Sequence, residues 1–74
     1  MKTKSYTDIP HAESTDIGKI ALMDTGCNPL AIEDTIEKCL ATCQCCGMTT
    51  LDDAGDPRPM TLADCEAIAY EITE

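Results

Sequence analysis

The chain has 74 residues, enough for one domain with one modest hydrophobic core. Fourteen acidic side chains against five lysines and arginines give a formal net charge of −9 at pH 7. Such a surface repels phosphates and anionic lipid headgroups, so we expect no direct binding to nucleic acid and none to membranes.

The N-terminal residues show no export signal. Lys2 and Lys4 are not followed by the apolar run of a secretory signal peptide. No stretch approaches the roughly 18 apolar residues that a membrane span requires. We therefore expect a cytoplasmic protein, in which cysteines usually stay reduced.

The first third of the chain favours a helix over residues 14–25. Ser14 or Thr15 is a suitable N-cap, and Gly26 is a suitable end. The run over residues 17–23 is alternatively a short strand, but the pattern offers it no partner strand to pair with. We therefore predict a helix here.

The middle of the chain predicts a second helix over residues 29–46. Asn28 is a good N-cap, Pro29 fits the first helical position, and Gly47 is well placed to end the helix. One face is apolar at helical spacing, and its residues are Ile32, Ile36, Cys39, Leu40 and Cys43.

The last part predicts a loop over residues 49–60, rich in Pro and Asp, and a third helix over residues 61–73. Thr61 and Asp64 have the spacing of a capping box. The apolar stripe of this helix contains Leu62, Cys65, Ile68, Ala69 and Ile72.

Together these elements predict an all-α fold. We expect a small three-helix bundle with an extended N-terminal arm over residues 1–13 and a Pro/Asp-rich loop before the last helix. The bundle would form a single helical domain over residues 14–74.

Six cysteines are the most unusual feature, and three interpretations stay open. They are small buried hydrophobes in a core without Phe or Trp, or they bind zinc, or they form disulfides between the helices. The zinc interpretation starts from the C-x-x-C-G spacing that ends at Gly47, with His11 as one further candidate ligand. Its cysteine ligands would come from Cys27, Cys39, Cys43, Cys46 and Cys65.

The sequence does not predict an enzyme. A nucleophilic cysteine needs a helix N-terminus, a cation or an imidazole nearby, whereas the cysteines of residues 43–46 end a predicted helix in an acidic chain. The single histidine, His11, lies in the predicted arm. Apart from the zinc alternative, we expect no cofactor.

Function is therefore expected on the acidic surface. Tyr70 is predicted to lie among acids on the polar side of the last helix, where a tyrosine makes a good interface anchor. The predicted partner-binding residues are Glu33, Asp34, Glu37, Asp52, Asp53, Asp56, Asp64, Glu66, Tyr70 and Glu71. Carboxylates on rigid helices imitate a row of phosphates and compete for a basic groove. We expect a non-catalytic protein that binds and blocks a basic surface on a protein partner.

In size, charge and lack of catalytic motifs the chain resembles the small acidic inhibitors that phages encode, anti-CRISPR proteins among them. That resemblance implies a nucleic-acid mimic and assigns no functional residue. The alternatives are a zinc-stabilised regulatory module with cysteine ligands and a homodimeric structural protein.

Overall fold

A computed structural model describes residues 2–74 and shows a mixed α/β fold. The predicted all-α three-helix bundle is therefore wrong. Two helices and six strands are present in the described residues. They are β1 (Lys2–Ser5), β2 (Ile20–Met23), β3 (Pro29–Glu33), α1 (Ile36–Cys45), β4 (Thr49–Leu51), β5 (Pro57–Pro59), α2 (Leu62–Ile68) and β6 (Ala69–Thr73).

Four strands form the main sheet, in the order β1-β6-β2-β3. Strands β2 and β3 are an antiparallel hairpin, β6 pairs antiparallel with β2, and β1 pairs parallel with β6. The register places Ala21 between Ile32 and Tyr70, and Tyr70 beside Lys2. Strands β4 and β5 form a separate two-stranded sheet.

Every residue of β2 is buried, because β2 is an interior strand with cover on both faces. Successive side chains of a strand point to opposite faces. Leu22 packs with Cys39, Cys43 and Cys65 on the helix side. On the other face, Ala21 and Met23 pack with Ile9 and Ile72. The sheet thus has a hydrophobic core on each side.

The first predicted helix is wrong because β2 has partner strands that the sequence pattern did not reveal. Its neighbours β3 and β6 lie within the segments predicted as the second and third helices. Residues 14–16 form only a 3-10 turn. The strand alternative for residues 17–23 is thus the correct one for Ile20–Met23.

The second predicted helix is wrong in its first part. Residues Pro29–Glu33 form β3, and α1 begins only at Ile36. Its N-cap is Thr35, whose hydroxyl accepts a hydrogen bond of 3.2 Å from the Lys38 N–H. Asn28 and Pro29 therefore belong to a hairpin. The spacing of four between Ile32 and Ile36 fits a helix, but it also fits a strand that ends at Glu33 and a helix that begins at Ile36.

The third predicted helix is right at its start and wrong at its end. Thr61 and Asp64 form the expected capping box, but α2 ends at Ile68 and the chain continues as β6. The predicted Pro/Asp-rich loop is the β4–β5 hairpin. The predicted arm contains β1, the edge strand beside β6. The division of the chain at residue 13 stays a prediction.

Two hairpin loops of identical design join β2 to β3 and β4 to β5. Asp24 begins the first and Asp52 the second, and one carboxylate oxygen of each accepts hydrogen bonds of 2.8–2.9 Å from the N–H groups two and four positions later. The residue three positions later has left-handed backbone: Cys27 at φ 62° and Gly55 at φ 84°. Glycine adopts this conformation without strain and cysteine does not.

We predict that Cys27→Gly stabilises the protein. The side chain is exposed, so its removal costs no core packing, and the strain of the left-handed backbone is relieved. The expected gain in the free energy of unfolding is about 0.5–1 kcal/mol, measured by urea denaturation. Gly55→Ala is the matched control, because it introduces the same strain into the other loop and should destabilise by a similar amount. Unfolding that is unchanged in both variants would contradict this description of the loops.

Candidate interaction surface

Within residues 2–74 no charged or polar side chain is buried, so the charges lie at the surface. Within the described residues, ion pairs occupy three of the fourteen acids. The pairs are Lys19 with Asp16, Lys38 with Asp34, and Arg58 with Asp64, at 3.3, 3.5 and 2.8 Å. Most carboxylates therefore have no ion-pair partner within the described residues.

Tyr70 lies in β6 and not on a helix, so its surroundings differ from those predicted. Its ring is half-buried against the core on the face of Ala21 and Ile72. The ammonium groups of Lys2 and Lys4 lie 5.5 and 5.2 Å from the ring centroid, within reach of a cation–π interaction. Tyr70 thus lies beside two lysines of the edge strand β1. Its role as an anchor among acids stays a prediction.

Beside the first of these lysines is a shallow cleft of about 200 Å³. Met23 and Ile68 contribute apolar surface to it, and Lys2 and Asp24 contribute opposite charges. The Lys2 ammonium donates to the Ala67 carbonyl oxygen at 3.4 Å, and Asp24 accepts the loop hydrogen bonds described above. These polar groups are thus engaged within the chain.

The acids near α1 form one group. Glu33 ends β3, and Asp34 and Glu37 are exposed around the helix start. The sheet register also places Glu33 and Glu71 on either side of Ile20, so that both carboxylates project from the helix-bearing face. Glu71 therefore lies on the same face of the sheet as Glu33, two strands away.

The acids of the β4–β5 hairpin form a second group, around Arg58. The hydrogen bond to Asp64 raises the pKa of Arg58, and the negative charges of Asp64, Asp52 and Asp53 raise it further. Asp52 uses its carboxylate to hold the loop backbone. The side chains of Asp53 and Asp56 make no hydrogen bond within the described residues and are exposed. They are the free carboxylates of this loop.

Asp64 has a structural role that the sequence only partly indicated. Arg58 donates two hydrogen bonds to it, of 2.8 and 3.0 Å, in the parallel geometry that guanidinium and carboxylate favour. Asp64 also accepts from the Thr61 N–H at 2.9 Å, which caps α2. Arg58 and then Thr61 lower the pKa of Asp64 to about 2. This pair fastens the hairpin to α2.

Leu51 is not among the predicted site residues, yet it is the most exposed large hydrophobic residue in the described part of the chain, at 64%. Strand pairing places it on one face of the hairpin with Thr49, Pro57 and Pro59. The signal that would have found it is a hairpin loop with Gly55 between two short extended runs. We name the segment from Thr49 to Pro59 the acidic hairpin.

The six cysteines are free in this structure. Cys39, Cys43 and Cys65 are buried together in the helix-side core, and the Cys39 thiol donates to the Ile20 carbonyl oxygen at 3.5 Å. Burial raises the pKa of all three thiols, that of Cys39 to about 11. A thiol with a raised pKa is a poor nucleophile at neutral pH.

The remaining cysteines, Cys27, Cys45 and Cys46, are exposed. Among residues 2–74 no group of three or more His, Cys, Asp or Glu side chains is arranged to hold a metal ion. Zinc binding by the cysteines stays a prediction that metal analysis tests.

No protein-family model matches the chain, and comparisons with curated proteins and with solved structures found no match. Neither α1 nor α2, the helices of residues 2–74, has the length and apolar character needed to cross a bilayer. Function is therefore inferred from the residues themselves.

We predict two classes of thiol. A disulfide reagent such as DTNB should react at once with Cys27, Cys45 and Cys46, because they are exposed. The three buried thiols should react only as the protein unfolds. Titration in native buffer and in denaturant, with and without prior reduction, checks this. Fewer thiols in denaturant without reductant than with it would show that disulfides form.

We also predict that Asp64 contributes stability that depends on pH. Its folded pKa of about 2 lies below the ordinary 3.8, so the contribution is complete above 3.8 and is lost as the pH falls through 2. The urea midpoint of the wild type should exceed that of Asp64→Asn at about pH 6, and the difference should shrink toward about pH 2. Asp53→Asn is the matched control, since it removes the same charge without breaking the pair with Arg58 and should follow the wild type.

Proposed function

We propose that this protein is a non-catalytic interaction protein that binds, and thereby blocks, a basic surface on a protein partner. The observation that supports the proposal is the surplus of exposed carboxylates, since most of the fourteen acids lack an ion pair within the described residues. Free surface carboxylates attract a basic partner over a Debye length and speed the encounter.

The acidic hairpin is the part of the surface best suited to this role. Asp53 and Asp56 project from a loop whose backbone is held by the Asp52 carboxylate. The bidentate pair between Arg58 and Asp64 fixes the hairpin against α2. Free carboxylates on a rigid support lose little freedom when they bind, which favours affinity.

Blocking is supported by the chemistry of these groups. Carboxylates held at fixed positions present negative oxygens, as phosphates do, and compete for grooves lined with lysine and arginine. The function we propose is accordingly that of a nucleic-acid mimic, of the kind found among phage inhibitors and anti-CRISPR proteins. The raised pKa of the buried thiols also favours a non-catalytic role.

A cytoplasmic location is part of the proposal. Six free thiols are suited to a reducing compartment, where disulfides rarely persist. The self-repulsion of a chain with a charge of −9 favours a basic partner over a second copy of the same chain.

We predict that removing the free carboxylates of the hairpin weakens binding. A partner captured from the native host should bind Asp53→Asn/Asp56→Asn about fivefold more weakly than wild type at low salt, because each of the two exposed charge pairs contributes about 0.5 kcal/mol. Calorimetry measures the affinity. The difference should shrink at physiological salt, because exposed charge pairs are screened.

The control for this experiment is Asp8→Asn/Glu74→Gln. It removes the same charge at exposed positions outside the acidic hairpin. Its affinity should stay within about twofold of wild type. An affinity that does not fall as the salt concentration rises would contradict the proposed function.

A further inference from the structure

The outer edge of β4 is an unpaired strand edge. Pro57 and Pro59 have no N–H, so the β4–β5 hydrogen bonds must use Thr50 opposite Arg58. The N–H and C=O groups of Thr49 and Leu51 then point away from β5. No turn or side-chain hydrogen bond of residues 2–74 uses them. They form the edge of a strand without a neighbour.

The other strand edges carry prolines or charged side chains that discourage pairing, and β4 carries neither. The prolines of β5 leave its outer edge without donors, and β1 carries Lys2 and Lys4. Strand β3 begins with Pro29 and ends with Glu33. In β4 the exposed side chains are Thr49 and the 64% exposed Leu51. Threonine and leucine are well suited to a paired strand.

The acidic residues beside the β4 edge favour a partner segment with positive charge. The loop that follows Leu51 contains Asp52, Asp53 and Asp56, and no lysine or arginine. A strand placed along β4 would extend past Leu51 and meet these carboxylates. A second copy of the chain would bring its own net charge of −9 to the same place.

We propose that the open edge of β4 binds an extended segment of a protein partner as a third strand. Main-chain hydrogen bonds to Thr49 and Leu51 hold the segment, and one of its apolar side chains packs on Leu51. Lysines or arginines of the segment lie against Asp53 and Asp56. This inference rests on the proposed function and specifies which part of a basic partner the acidic hairpin binds.

The test uses the full chain and a seven-residue probe peptide, with Val-Thr-Val in the middle and two lysines at each end. Lysines at both ends meet the acidic loop in either strand direction. Saturable binding should shift the amide NMR signals of residues 49–53 and slow hydrogen exchange at Thr49 and Leu51. The same peptide with glutamates in place of the lysines should bind at least about tenfold more weakly.

The variant Leu51→Pro isolates the strand edge. It keeps an apolar side chain and the β4–β5 hydrogen bonds but removes one outward N–H, as Pro57 does on the opposite strand. Its affinity for the lysine peptide should fall at least about tenfold. Leu51→Val keeps the N–H and should stay within about twofold. If Leu51→Pro does not fold, slowed hydrogen exchange at Thr49 and Leu51 of the wild type with bound peptide still reports whether the strand edge is paired.

Three results would overturn the inference. They are no binding of the lysine peptide, unchanged exchange at Thr49 and Leu51 with bound peptide, and a dimer of the chain that Leu51→Pro abolishes. The captured host partner separates this inference from the proposed function. A partner that binds Leu51→Pro as tightly as wild type, but binds Asp53→Asn/Asp56→Asn more weakly, leaves the proposed function standing and removes the strand pairing.

Discussion

The fold depends on one requirement, the burial of β2 on both faces and along both edges. Ile20, Ala21, Leu22 and Met23 are all buried, so the chain must supply cover to each side and a paired strand to each edge. Helices α1 and α2 cover one face, and the N-terminal segment around Ile9 covers the other. Small residues and thiols fill the space because the chain has no Phe or Trp.

Apolar residues fill this core, and the charged residues lie at the surface. The acids among them are of two kinds. Some acids hold the backbone: Asp24 and Asp52 bind their loops, and Asp64 binds Arg58 and caps α2. The side chains of others, such as Asp53 and Asp56, make no hydrogen bond or ion pair within the described residues. Composition alone cannot separate these kinds, since the difference is the position of an N–H or a guanidinium in three dimensions. The structure thus reduces the candidate interaction surface to the acids whose carboxylates have no partner within the described residues.

Local signals were predictable from the sequence, and long-range pairing was not. The capping box of Thr61 and Asp64 was recognised because it depends on residues three apart. The helical spacing of Ile32 and Ile36 was misleading, because one residue belongs to β3 and the other to α1. Strand β2 was considered only as the alternative to a helix, because one of its partners, β6, lies far away in the chain and the sequence pattern did not reveal it. Among the site residues, the acids were visible, but the exposure of Leu51 required the hairpin register.

Strand β6 lies in the interior of the main sheet, between β1 and β2, although it follows β1, β2 and β3 in the chain. During synthesis, β2 therefore lacks one neighbour and part of its cover until Ala69–Thr73 has left the ribosome. The main sheet can close only after that point, and contacts between distant parts of a chain form slowly. Until β6 is in place, the apolar run of Ile20–Met23 is a target for chaperones.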